Sequence, residues 1–221
     1  FDSSHGAEDN VAAMQEASDG VATGAVTIAS RDVQLNGVAV RKGKWLGLAD
    51  GEPVAGGETF DEVAQVVLAR LLIDEVRERH LRVTTAESCT GGLVAAAICS
   101  IPGASDVFER GFVTYTNRAK EEMLGIPGDM IADFGAVSEP VARMMAEGAL
   151  NNSRAHIAVA ITGVAGPGGG SPMKPVGTVH IATARSTAGI RHRHEMFDGE
   201  TRLDVQLAAV AVALQMMRDA I

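Results

Sequence analysis

From about residue 60 to the C-terminus, short β-branched runs alternate with segments of helical period. No other feature limits the possible folds of this chain as strongly. "LRVTTAE", "FERGFVTYT", "HIAVAITG" and "TVHIATA" read as strands. Between the first three, "GGLVAAAICS", "NRAKEEML" and "SEPVARMMAEGALNN" read as helices. Such alternation covers both faces of a sheet and predicts an α/β fold, a three-layer α/β/α sandwich with a mixed sheet. "HIAVAITG" is apolar almost throughout, as a strand buried on both faces would be. A first helix is expected from Thr59, where Glu62 completes a capping box, to about His80. After "IRHRHEMF" a last helix runs from about Thr201 to the end.

Residues 1–57 read differently, and the boundary is set at residue 58, with the larger domain spanning 58–221. "NVAAMQEASDGV" has the pattern of a short helix. "GAVTIASRD", "VQLNGVAVRKG" and "KWLGLADGEPVAGG" read as short strands separated by Asn-Gly and Asp-Gly turns. This β-rich segment, with Trp45 as its largest apolar residue, is too small to be stable alone and should lean on a neighbour.

Composition narrows the function classes. A formal charge of −9 opposes nucleic acid or an anionic membrane as main partner. Aromatic residues, at 4%, are too few for a base-stacking platform. No apolar run reaches the roughly 18 residues of a membrane span, and residues 1–10 do not resemble a signal peptide. Cys89 and Cys99 lie on one strand–turn–helix unit, which suits a reduced, cytoplasmic protein. The six histidines form no metal-binding spacing, and "HRH" at 192–194 alternates on a strand, half exposed. There is no G-x-S-x-G elbow and no G-x-G-x-x-G after a first strand.

Three stretches carry chemistry. "AESCTGG" (86–92) places Ser88, Cys89, Thr90 and Gly91 before a helix start, where they can either cap the helix or hold an anion. Cys89 is a candidate thiolate there, against the simpler reading of a buried thiol. "PGASDVFERGFVTYTNRAK" (102–120) holds Ser105, Tyr115, Asn117 and Lys120. Tyr115 is expected to end a strand, and Lys120 falls in a helix's first turn, where a cation opposes the dipole. For Lys120 to act as a base near neutrality, its pKa must fall about three units from roughly 10.4, a cost of about 4 kcal/mol. "TGVAGPGGGSPMKPVG" (162–177) packs six glycines and three prolines into one loop, which lets backbone approach a ligand closely. It is not a nucleotide P-loop, because Pro175 follows Lys174.

Taken together, "TAESCTGGLVA", "GFVTYTNRAK", "GAVSEPVARMMAEGAL", "AITGVAGPGGG" and "KPVGTVHIA" resemble, in order and spacing, the C-terminal domain of the competence- and damage-inducible (CinA) protein family, over residues 60–218. The resemblance implies hydrolysis of the carboxamide of nicotinamide mononucleotide to nicotinate mononucleotide and ammonia, in pyridine-nucleotide salvage. It implies a serine–lysine mechanism with Ser105 as nucleophile, Lys120 as base, Tyr115 nearby and Ser88 stabilising the reacting carbonyl. Amides after Gly91 and Gly92 would hold the oxyanion. Thr90, Gly91, Asn117, Thr162, Gly163, Gly166, Gly169 and Lys174 would contact the substrate, and Arg202 would clamp its phosphate. No metal or cofactor is implied, and a homo-oligomer is. The alternative is a pyridine-nucleotide-binding or scaffold module without turnover.

The chain departs from the family pattern in three places. Ala104 precedes Ser105 where two serines are usual, and Glu200 and Gln206 replace a common aspartate and arginine. Residues 1–57 do not resemble the family's usual N-terminal domain. Within them, "GAVTIASRDVQLNGVAVRKGKWLGLADGEPV" faintly resembles a β segment near the C-terminus of dihydroxyacetone-kinase-like, fatty-acid-kinase-type proteins.

Overall fold

In a computed structural model of the chain, the described residues are 24–28, 31–35, 38–41, 44–49, 52–57, 60–199 and 201–221, with side chains described from Ala64 onward. The expected helix in "NVAAMQEASDGV", the Asn-Gly and Asp-Gly turns, the Thr59–Glu62 capping box, the Trp45 side chain and Glu200 lie outside them. Five short strands open the described chain: β1 (Gly24–Ile28), β2 (Arg31–Leu35), β3 (Val38–Arg41), β4 (Lys44–Ala49) and β5 (Glu52–Gly57). They pair antiparallel as β1–β2 and as β3–β4–β5.

The larger unit runs α1 (Phe60–Glu78), β6 (Val83–Glu87), α2 (Leu93–Cys99), a 3-10 turn (Ala104–Asp106), β7 (Phe108–Val113) and α3 (Asn117–Leu124). It continues through α4 (Gly128–Phe134), α5 (Glu139–Asn151), β8 (Ile157–Gly163), β9 (Thr178–Arg185), β10 (Gly189–Met196) and α6 (Arg202–Arg218). The sheet order is β10-β9-β8-β6-β7, with β6 parallel to β7 and β8, and β9 and β10 antiparallel. The expected α/β/α sandwich with a mixed sheet is therefore what the chain forms.

The two faces of the sheet are chemically distinct because side chains alternate along each strand. Val83, Ile157, Val159, Ile161, Val179 and Ile181 pack under α1, α2 and α6. The opposite face is lined by Ala86, Ala158, Ala160, Ala182 and Ala184, small residues that let α5 pack closely with α3 and α4. Gly148 of α5 belongs to the same close packing, since a Cβ there would collide with the Leu124 backbone. Helix α4 has no counterpart in the sequence reading. Its seven residues give less than two turns of periodicity, too few to distinguish from a loop.

Because β6, β7 and β8 run parallel, their C-terminal ends share one edge of the sheet, and open α/β sheets bind ligands at that edge. Strand β9 begins there too, since Gly163 pairs with Val179, so the glycine loop connects β8 to β9 beside the same edge. The turn holding Ser105 precedes β7 and lies at the other edge, where Val83 N donates to the Val107 carbonyl.

On the α5 face, His180 stacks on His194 with centroids 4.5 Å apart. Its Nδ1 lies 3.0 Å from His192 Nε2, while Glu139 approaches His192 from α5 at 3.5 Å. Burial, then the neighbouring His194, His192 and Lys174, pulls the His180 pKa from 6.5 down to about 4, against the opposing pull of Glu139. The unfolded chain therefore takes up this proton first. The resulting stability is complete above pH 6.5 and is lost as pH falls toward 4. Discounted for partial exposure, the loss should be about 1–2 kcal/mol. Urea denaturation at pH 6.5 and 4.5 should show His180→Gln losing less stability than wild type. Equal losses would remove His180 as the cause.

Candidate functional site

A cleft of about 280 Å³ opens at the C-terminal edge of the parallel strands. This is near the lower end of the range for small-molecule sites, about 300–1,000 Å³. The turn after β6 supplies Ser88 and Cys89, and the segment after β7 supplies Tyr115, Asn117 and Lys120. The end of β8 and the loop after it close one side with Gly163, Gly166 and Gly169, and Arg202 enters from the start of α6.

Lys120 organises the site. It is 1% exposed, yet it lies on the cleft wall. Thr116 caps α3 by accepting from Ala119 N, which places Lys120 in the first turn, pointing back at the sheet edge. Its Nζ donates to Ser88 Oγ at 3.0 Å and to the Thr114 carbonyl at 2.8 Å. Both acceptors are neutral, and no ion pair among the described residues includes Lys120. Burial accordingly pulls its pKa below the ordinary lysine value, opposed by the neighbouring Cys89 side chain. A lysine in this setting releases its proton more readily than one in water and can accept one from a hydroxyl it touches.

The expected Ser105–Lys120 pairing does not form in this chain. Ser105 is exposed, lies outside the cleft lining and precedes β7, whereas Lys120 follows it. The length of that strand, about 17 Å at roughly 3.3 Å per residue, stands between them. The serine that Lys120 meets is Ser88.

Two further expectations are revised, and a third, that Cys89 is an ordinary buried thiol, is met. Strand β7 ends at Val113, so Tyr115 stands in the connection before α3, 59% exposed, with its hydroxyl accepting from Arg202 Nη2 at 2.7 Å. The amides after Gly91 are not open to an oxyanion. The buried Glu87 carboxylate accepts from the N–H groups of Gly92, Val94 and Ala95, and from Thr90 Oγ1. Thr90 and Gly91 consequently shape the helix start and do not line the cleft. The Cys89 thiol, 5% exposed, is pushed up to about 12 by burial and is no thiolate at neutral pH.

Other candidates divide. Thr162 lines the cleft, but its hydroxyl donates to the Ala136 carbonyl and holds the α4–α5 connection against β8. Ala136 and Val137 of that connection join the wall, a contribution that the "GAVSEP" motif could have signalled had α4 been recognised. Lys174 lies outside the lining, its Nζ donating to the Phe134 carbonyl. Arg202 straps the mouth by donating to the Gly166 carbonyl at 2.8 Å as well as to Tyr115. Gln206 donates to the Cys89 carbonyl at 2.7 Å, bracing the turn after Ser88 from α6. Gly163 is required by close approach, since a Cβ would meet the Thr178 carbonyl at 2.7 Å. No helix among the described residues is long and apolar enough to cross a membrane.

Comparison with known proteins bears on the family and the fold. The model of the CinA C-terminal domain matches residues 65–221. A second model, that of the FakA-like C-terminal region of fatty acid kinases, matches residues 1–98. A CinA-like protein of Akkermansia muciniphila is 51% identical over 140 residues, 63% of this chain and 31% of that protein. A CinA-like protein of Anaeromyxobacter sp. (strain K) is 53% identical over 134 residues, 61% of this chain and 31% of that protein. The chain thus spans about a third of the length of these curated relatives. The structure of competence/damage inducible protein CihA from Agrobacterium tumefaciens superposes with a TM-score of 0.70 at 49% identity, covering 71% of this chain and 94% of that one. An Escherichia coli protein of the competence-damaged (CinA) superfamily gives 0.68 at 34% identity, over 80% of this chain and 95% of its own. By its matched residues and its fold, the chain belongs to the CinA C-terminal domain family.

Proposed function

We propose that this chain hydrolyses the carboxamide of nicotinamide mononucleotide, releasing ammonia and nicotinate mononucleotide, with Ser88 as nucleophile and Lys120 as its base. The observation that carries the reading is the 3.0 Å contact between Ser88 Oγ and a buried lysine whose acceptors are both neutral. The substrate class comes from the family resemblance, and the cleft's size and glycine-lined wall are compatible with it.

The chemistry balances without another titrating group. Neutral Lys120 takes the Ser88 proton as Oγ attacks the carboxamide carbon and the carbonyl electrons move to oxygen. The scheme assigns the oxyanion to the backbone N–H of the residue after the nucleophile, Cys89, a residue that lines the cleft and whose N–H would have to turn from its own thiol to the oxyanion. The intermediate collapses, Lys120 passes its proton to the departing nitrogen, and ammonia leaves an acyl-serine. Water, deprotonated by Lys120, then attacks the ester, Lys120 returns that proton to the departing Ser88 Oγ, and the nicotinic acid group released ionises to its carboxylate, leaving Lys120 neutral again. Arg202 and the glycine loop form the mouth where the phosphate would enter, Arg202 exchanging a present acceptor for a phosphate oxygen.

The test is ammonia release from nicotinamide mononucleotide, beside the riboside that lacks the phosphate. One ammonia per nicotinate mononucleotide is expected, with the riboside much slower. Nucleotide binding without ammonia would replace the enzyme by a binding module. Failure of both binding and turnover would remove the substrate assignment.

A further inference from the structure

Glu87 and Ser88 are neighbours on one strand end with opposite orientations. The alternation of a β-strand sends Glu87 to the face covered by α2 and sends Ser88 to the face where α3 presents Lys120. Glu87 is wholly buried, and so is every residue of β6. Among the described residues its carboxylate is paired with no cation. Oε2 accepts from Thr90 Oγ1 at 2.8 Å and from the N–H groups of Gly92 and Val94 at 3.0 Å, while Oε1 accepts from Ala95 N at 2.8 Å. No residue at the N-cap itself does this work, because Gly92 has left-handed backbone and no side chain.

We infer that Glu87 is a positioning residue for Ser88: it locks the turn 88–92 from the α2 face, and so fixes where the Ser88 hydroxyl meets Lys120 on the other. This inference rests on Ser88 being the nucleophile. The four donors all lie within eight residues downstream of Glu87, so the segment that leaves β6 is tied back onto the residue preceding Ser88. The other ties of the turn are backbone bonds and one side chain: Ser88 N donates to the Ile161 carbonyl, Gly91 N to the Ser88 carbonyl, Leu93 N to the Thr90 carbonyl and Ala96 N to the Gly92 carbonyl, and Gln206 holds the Cys89 carbonyl. The same bonds occupy both carboxylate oxygens of Glu87 with donors of its own turn and helix.

Glutamine at this position keeps one acceptor oxygen and puts an NH2 group where the other stood. Either the Ala95 amide or the three groups on Oε2 then face a donor instead of an acceptor. Thr90→Val removes one donor at nearly constant shape and provides a milder variant should Glu87→Gln fold poorly.

The experiment is labelling of the intact chain by a serine-directed fluorophosphonate, which forms a bond from Ser88 Oγ to phosphorus and expels fluoride. Sites are read by mass spectrometry, and the maximal rate is separated from probe affinity. Wild type should label at Ser88. Glu87→Gln should lower the maximal rate by at least about tenfold, and Thr90→Val by about threefold, with probe affinity within about twofold. The near-UV circular dichroism and the acid limb of the rate–pH profile should be unchanged. A Glu87→Gln rate equal to wild type, or lowered only in proportion to the folded fraction, would overturn the inference. If wild type is not labelled at Ser88, the nucleophile assignment and this inference fall together. If wild type labels but leaves nicotinamide mononucleotide intact, the proposed reaction falls, and Glu87 is judged on its own rates.

Discussion

Ser88→Ala is expected to lower kcat for amide hydrolysis by about a thousandfold or more, and Ser105→Ala to leave it within about twofold. The asymmetry follows from position alone. Ser88 Oγ touches the one buried amine in the cleft, so removing it deletes the attacking atom and leaves only binding and oxyanion contacts. Ser105 lies on an exposed 3-10 turn at the far edge of the sheet, and its hydroxyl has no route to Lys120 within this chain. KM should change little for either variant, because neither hydroxyl is placed to hold the ribose or phosphate. The measurement is steady-state ammonia release for wild type and both variants. A dead Ser105→Ala enzyme with an active Ser88→Ala one would require Ser105 to act from a different arrangement, such as the cleft of a second copy.

The contrast between these serines shows what could be read from sequence. Elements with many turns of periodicity were legible: α1, α5 and α6 carry long apolar stripes, and the apolar β8 declared itself buried on both faces. Helix α4 and the end of β7 were not, because seven residues of helix or two residues of strand leave no pattern to count. At the site, Lys120 could be singled out because a cation in a helix's first turn opposes the dipole and calls for a reason. Its partner could not be read in the same way. Ser88 and Ser105 both occupy turns rich in small polar residues, and only the parallel pairing of β6 with β7 decides which turn meets α3.

The role of Glu87 was hidden for a related reason. A glutamate ending a strand usually meets solvent, whereas this one is drawn inward by four donors that become neighbours only once α2 has formed. The even choice between cap and anion site for "AESCTGG" thereby resolves into a division of labour. The glutamate caps the helix, while the serine beside it faces the cleft.

Lys120→Met is expected to abolish turnover and, in the same molecule, to stabilise the fold. Lys120 is the largest fully buried side chain of the described residues, and it sits there without a carboxylate. Folding must therefore either desolvate an ammonium or hold the amine neutral, and both cost free energy that methionine of similar length avoids. The Thr114 carbonyl loses a donor, which costs about 1 kcal/mol. The removed penalty is larger, giving a net gain of about 1–2 kcal/mol at neutral pH.

The sign of the pH dependence follows from the lowered lysine pKa. Above pH 10.5 the amine is neutral in both folded and unfolded chains, and the advantage of methionine should be smallest. As pH falls from there, the unfolded chain takes up the proton first, wild type loses stability, and the advantage grows until the folded lysine protonates too. Lys120→Arg should be inactive for the complementary reason, since a guanidinium cannot give up its proton to become a base. In wild type, the acid limb of kcat/KM should lie below the ordinary lysine range. Thermal melts at pH 7 and pH 10, with a kcat/KM profile across the same range, test all three points. A methionine variant clearly less stable than wild type at both pH values would make Lys120 a structural tether of the Thr114 carbonyl. An acid limb in the ordinary lysine range would show that burial has not poised it as the base for Ser88.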